Sequence, residues 1–136
     1  RETAATTKGF VMEFIHAPKA CASVGPYSHC VKAGSTYYLC GQVPFHPVTG
    51  EVVGNGMKEQ AVQTLANMKA VLEAAGLAVT DIAKTTVFVT NMDDFAAFNE
   101  VYAAFMGEHH PARVCVEVSN IAHGCLLEMD AICFKE

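Results

Sequence analysis

Tryptophan is absent from the 136 residues, and arginine occurs only twice, as Arg1 and Arg113. No apolar run approaches the roughly 18 residues that a membrane-spanning helix needs. No Lys/Arg-rich stretch interrupts a formal net charge of −5, which counts against an electrostatic hold on nucleic acid phosphates. Cysteine is not scarce, but its usual patterns are. Cys21, Cys30, Cys40, Cys115, Cys125 and Cys133 form no C-x-x-C pair and no paired metal-ligand spacing. Most lie in apolar, strand-like runs ("YYLCGQV", "GCLLEMDAICF"), where a thiol serves as a small buried hydrophobe. A disulfide framework is therefore not expected, and a reducing setting, cytoplasmic or an organelle matrix such as the mitochondrial one, is. His109 and His110 read as a solvated loop pair, so no metal is expected.

What is present describes a globular chain. Half the residues are apolar (51%) and few are charged (17%), enough for one domain with one core. Residues 1–11, "RETAATTKGFV", read as a tail: a tag, a leader remnant or an extension. Residues 12–136 read as a single domain, with Met12 a plausible initiator.

Short extended runs come first, over 11–16, 28–34 and 36–44, separated by turn signals at Gly25-Pro26 and Gly34-Ser35. "PFHPVTGEVV" (44–53) reads as an irregular loop or hairpin with Thr49-Gly50 at its tip. In the following run Met57, Ala61, Leu65, Met68, Leu72 and Ala75 recur at helical spacing, and Gly76 stops the helix. "IAKTTVFVT" (82–90) reads as a central strand. A second helix follows, with Asp93 or Asp94 as N-cap, a stripe of Phe95, Phe98, Tyr102 and Phe105, and a stop at Gly107. "HPARVCVEVSN" (110–120) and "CLLEMDAICFKE" (125–136) close the chain as strands, giving β-β-β-α-β-α-β-β.

Two helices cover only one face of such a sheet. The final strand is apolar on both faces, with Cys125, Leu127, Met129, Ala131 and Cys133 on one and Leu126, Ile132 and Phe134 on the other. A strand apolar on both faces is covered on both faces, so a homo-oligomer is expected. In 110–120, Val114, Val116 and Val118 share one face while Arg113, Cys115 and Glu117 share the other. The valine face is expected to pack under the helices, leaving Arg113 and Cys115 in a cleft.

The segments "GPYSHCVKAG" (25–34), "YLCGQVPFHPVTGEVV" (38–53), "VLEAAGL" (71–77), "KTTVFVTNMDDFAAFNEVYAAFMGEH" (84–109), "PARVCVEV" (111–118) and "LEMDAI" (127–132) together resemble the RidA/YjgF family of imine/enamine deaminases. The resemblance implies a chorismate-mutase-like α+β fold, a mixed sheet with two helices on one face, assembled as a homotrimer with sheets inward and sites between subunits. It implies hydrolysis of 2-imino or enamino acids, such as 2-iminobutanoate and 2-iminopropanoate, to 2-keto acids and ammonia, with no cofactor.

Such a substrate carries a carboxylate beside an electrophilic C=N carbon. A guanidinium fork suits the carboxylate, and Arg113 matches the family's carboxylate-binding arginine. Glu128 matches the family's glutamate, which would position or activate water; among apolar neighbours its pKa should rise. Cys115 matches the site cysteine and is expected to line the pocket rather than to form a covalent bond. Tyr27 matches the tyrosine that closes the site, Ser28 a polar position of the same loop, and Gly41 would allow close backbone approach to a ligand. Glu117 reads as structural or as a rim charge, and Asn99 and Tyr102 as structural. "SNIAHG" (119–124) departs from the family by lacking its proline and basic character, with Asn120 and His123 there instead. Two other readings stand beside the enzyme: a ligand-binding or regulatory homologue that keeps only the carboxylate clamp, and an endoribonuclease or translation inhibitor, against which the acidic charge counts.

Overall fold

The alternating runs come together in one seven-stranded sheet, and both helices lie against the same face of it. The structure, a computed structural model, describes residues 2–7 and 10–136, with side chains described from Met12 onward. Strands β1 (Glu2–Thr7), β2 (Phe10–Ile15), β3 (Cys30–Ala33) and β4 (Thr36–Gln42) precede helix α1 (Met57–Ala74). Strand β5 (Ile82–Val89), helix α2 (Phe95–Met106), β6 (Ala112–Glu117) and β7 (Leu127–Phe134) complete the chain. The spatial order is β1-β2-β3-β4-β7-β5-β6, and β5 with β6 is the parallel pair in an otherwise antiparallel sheet. This is the expected α+β mixed sheet. Of the tail expected over 1–11, residues 1, 8 and 9 lie outside the described residues. Residues 2–7 form an edge strand on β2, consistent with the high strand propensity of their threonines.

Helix α1 buries Met57, Ala61, Leu65, Met68 and Leu72 as its spacing requires. It ends in a Schellman motif: Gly76 takes φ +74°, its N–H donates to Glu73, and the Leu77 N–H donates to Leu72 at 2.8 Å. In α2 the buried stripe is Phe98, Tyr102 and Met106, with Phe95 and Phe105 half-buried. Asp94 is the N-cap of α2, as expected, but its side chain makes no capping hydrogen bond. A short 3-10 turn at Met92–Asp94 precedes α2, and Asn91 caps that turn, accepting from the Asp93 N–H at 2.9 Å.

The two faces of the sheet differ from expectation at β6. Leu39, Thr85, Val87, Val89, Leu127, Met129, Ala131 and Cys133 are buried beneath the helices. Arg113 pairs with Thr85 and Cys115 with Val87, so both point to this helix-covered face. Val114 (44% exposed) and Val116 (41%) point to the open face, where Tyr38 and Phe134 are also exposed. Alternation opposes 113 to 114, but it does not say which side is inward. The Thr85 hydroxyl decides it, held 2.8 Å from the Tyr102 hydroxyl of α2.

Candidate functional site

Arg113 sits on edge strand β6, and α2 builds a cradle around its guanidinium. Phe95, Asn99 and Tyr102 follow one another at helical spacings of four and three, which stacks them on one stripe. The Asn99 side-chain oxygen accepts from Arg113 Nη1 at 2.7 Å. The Tyr102 and Phe95 ring centroids lie 4.7 and 5.2 Å from the guanidinium carbon. Among the described residues no carboxylate pairs with this cation. The fork is thus oriented by a neutral acceptor and aromatic faces, leaving charge available for an incoming anion. It opens on a depression of about 390 Å³ whose walls include Asn99, Tyr102, Met106, His110 and Pro111.

Cys115 is half-buried on the same face and packs against the core. Burial pushes its thiol pKa up, against the opposing pull of Arg113. A thiol held protonated suits a pocket wall better than a nucleophile. Glu117 accepts the Met92 N–H at 2.8 Å and so holds the approach to α2, a structural role.

Glu128 lies elsewhere. Strand β5 separates β7 from β6, so β7 is not the strand next to Arg113. Thr85 pairs with both Arg113 and Ala131, placing those two on the helix face. Glu128, three residues from Ala131, falls on the opposite face, paired through Phe88 to Val116. Within one protomer the expected pair is therefore split by the thickness of the sheet. It is also offset by three residues along the strands, roughly 10 Å.

Around Glu128 a second cluster forms. Its side chain lies across Gly41 at the bulge of β4, where an added Cβ would overlap the Glu128 carboxyl group. The space opened by this glycine is filled by a side chain of the protein itself. Burial first, and then the Asp130 carboxylate on the same face, raise the Glu128 pKa above the usual carboxylate range. Gly41, Cys40, Gln42, Phe45, Cys21 and Tyr27 help to line a cavity of about 40 Å³. Burial likewise pushes the Cys40 thiol up to about 11, opposed by a 3.2 Å hydrogen bond from Gln42. The Tyr27 N–H donates to Gly25 at 2.9 Å, and the ring folds back over Gly25, where a Cβ would meet it at 3.2 Å. Ser28 follows, half-buried. His123 adopts a left-handed conformation (φ 57°) and meets the Phe45 ring edge-on at 5.3 Å, placing the atypical 119–124 segment beside this cavity.

The structure thus gathers Tyr27, Gly41 and Glu128 on one side and Arg113 and Cys115 on the other. Asn99, Tyr102 and Phe95, the partners of Arg113, were not legible as such. The 95/99/102 stripe was the available signal, but helical spacing alone does not distinguish a cation cradle from core.

A family model described as Endoribonuclease L-PSP matches residues 16–135. The chain is 48% identical over 124 residues to a RutC family protein of Pyrococcus horikoshii, covering 91% of this chain and 98% of that protein. It is 46% identical over 119 residues to the 2-iminobutanoate/2-iminopropanoate deaminase of Escherichia coli, covering 85% and 92% respectively. Among solved structures, Escherichia coli TdcF with bound serine superposes with TM-score 0.85 at 41% identity, covering 90% of this chain and 98% of that one.

Proposed function

The chain belongs to the Endoribonuclease L-PSP family, the group that includes RidA, YjgF and RutC proteins, and we propose that it hydrolyses small 2-imino acids to 2-keto acids and ammonia. The observation that carries this reading is the Arg113 guanidinium: oriented by Asn99, walled by Tyr102 and Phe95, and without a carboxylate partner among the described residues. It is a clamp for a planar carboxylate. Glu128, with its raised pKa, supplies the proton-exchanging group that hydrolysis requires. Water adds to C2, the nitrogen leaves as ammonia, and the carboxyl group passes protons between them.

The two groups act on one substrate when they come from two protomers. The open sheet face, which carries Glu128 and the exposed Tyr38, Val114, Val116 and Phe134, packs against a second copy in this reading, as a homotrimer. Arg113 of one subunit then faces Glu128, Gly41 and Tyr27 of the next, with Ser28 and Cys115 on the walls. The identity to a named deaminase supports the activity. Net charge −5 weighs against a ribonuclease role.

A binding homologue is the second reading, favoured by the serine in the TdcF structure, since a clamp alone holds an amino acid. Coupling the protein to a threonine dehydratase and trapping released imine with semicarbazide separates the two. Wild type lowers semicarbazone formation and Arg113→Ala does not. Equal trapping with and without protein refutes the enzyme, and 2-oxobutanoate binding without turnover establishes the binder.

A further inference from the structure

The segment between β2 and β3 carries Tyr27 yet contains no helix or strand of its own. One buried imidazole ties it down. His29 accepts the Ala17 N–H at Nδ1 (2.8 Å), and its Nε2 lies 2.8 Å from the Cys21 carbonyl. Its own carbonyl accepts the Cys40 N–H at 2.9 Å, joining the same residue to β4. An amide N–H only donates and a carbonyl only accepts. Nδ1 is therefore bare and the proton sits on Nε2, which selects the neutral ring and a single tautomer.

This clamp adjoins the Glu128 cluster. Cys21, His29, Tyr27 and Gly41 wall the same cavity, and Tyr27 stands two residues before the imidazole. We propose that His29 is a positioning residue that holds the 17–21 strap, and with it the Tyr27 loop, in place only while its imidazole is neutral. A second proton on the ring would set Nδ1–H against the Ala17 N–H, donor against donor, and release the strap. The titratable groups facing the ring are His16 at the end of β2 (centroids 5.8 Å apart, edge-on), Cys21 and Tyr27 on the loop, and Cys40 from β4. None of these side chains is a carboxylate, so none offers the anion that a charged ring would need.

The kinetic consequence rests on the deaminase reading, but the strap itself does not, and the test reads them separately. Nitrogen NMR of wild type at pH 7.5 is expected to show His29 protonated at Nε2 only, with the Ala17 amide protected from exchange. That protection is lost on acidification, when a second ring proton takes the place of the Ala17 hydrogen bond at Nδ1. In His29→Gln it persists, because the amide supplies one acceptor and one donor without titrating. With substrate, His29→Ala raises KM about tenfold, the scale of a lost buried hydrogen bond, with kcat changed less than threefold. His29→Gln restores KM and abolishes its rise in acid. An Nδ1-protonated ring, or acid-insensitive Ala17 protection in wild type, overturns the proposal, as do superimposable KM–pH profiles for wild type and His29→Gln. Absence of turnover in wild type defeats the deaminase reading alone, and the NMR readouts still decide the strap.

Discussion

Replacing Gly41 with alanine places a methyl group where the Glu128 carboxylate now lies. The new Cβ would overlap the carboxyl oxygen and come within 2.9 Å of Cδ and 3.2 Å of Cγ. The Gly41 backbone is outside the left-handed region, so alanine itself is tolerated there and Glu128 must give way. Driving a side chain off its rotamer costs about 0.5–1.5 kcal/mol, a loss of roughly 2–6 °C in Tm for a domain of this size. Catalysis is more sensitive, because displacing a reacting group by about 1 Å costs on the order of a hundredfold. Gly41→Ala is therefore expected to fold, to lose only a few degrees of thermal stability, and to lose about a hundredfold in imine hydrolysis. The dehydratase-coupled trapping assay measures it. Gly56→Ala is the control, since nothing lies within 4 Å of the added carbon. A Gly41→Ala protein within threefold of wild type would refute the reasoning, because the position of the Glu128 carboxylate would then not matter.

Three further outcomes follow from the same geometry. Arg113→Lys keeps the charge but loses the fork and the aromatic stacking, so KM for the carboxylate substrate should rise about tenfold to a hundredfold, and Asn99→Ala about fivefold, read from initial rates. Glu128 has a pKa raised by the fold, so its stabilising contribution is complete below the ordinary value of 4.5 and is lost as pH rises through the raised value. Glu128→Gln should then show a higher denaturant midpoint than wild type at pH 7.5, with the gap closing towards pH 4. Burial pushes the thiols of Cys30 and Cys133 up to about 12 and that of Cys125 up to about 11, so a thiol-titrating dye should reach these three only after denaturant is added.

The elements were legible because period and punctuation agree: the Met57-to-Leu72 stripe, its stop at Gly76, and the β-branched run at 82–89 each point one way locally. The sidedness of β6 was not. Valines at 114 and 116 look like a core face, and only the register with Thr85 reveals that Arg113 and Cys115 turn to the helices. The separation of Arg113 from Glu128 was hidden for the same reason. Chain order brings β7 after β6, but β7 inserts between β4 and β5, a topological fact that no local pattern encodes. The strand at 2–7 was not legible either, since a short run of Glu, Thr and Ala without alternation carries little signal until β2 offers it an edge.

In the proposed homotrimer, one site takes Arg113 from one subunit and Glu128 from another. Co-expressing Arg113→Ala and Glu128→Gln chains under separate tags, and purifying the doubly tagged assembly, tests it directly. Each variant alone is inactive. In a cyclic trimer that carries both chains, one junction of the three joins an intact Arg113 to an intact Glu128, so the doubly tagged assembly regains about a third of wild-type activity. Mixed assemblies as inactive as their parents would contradict the shared site.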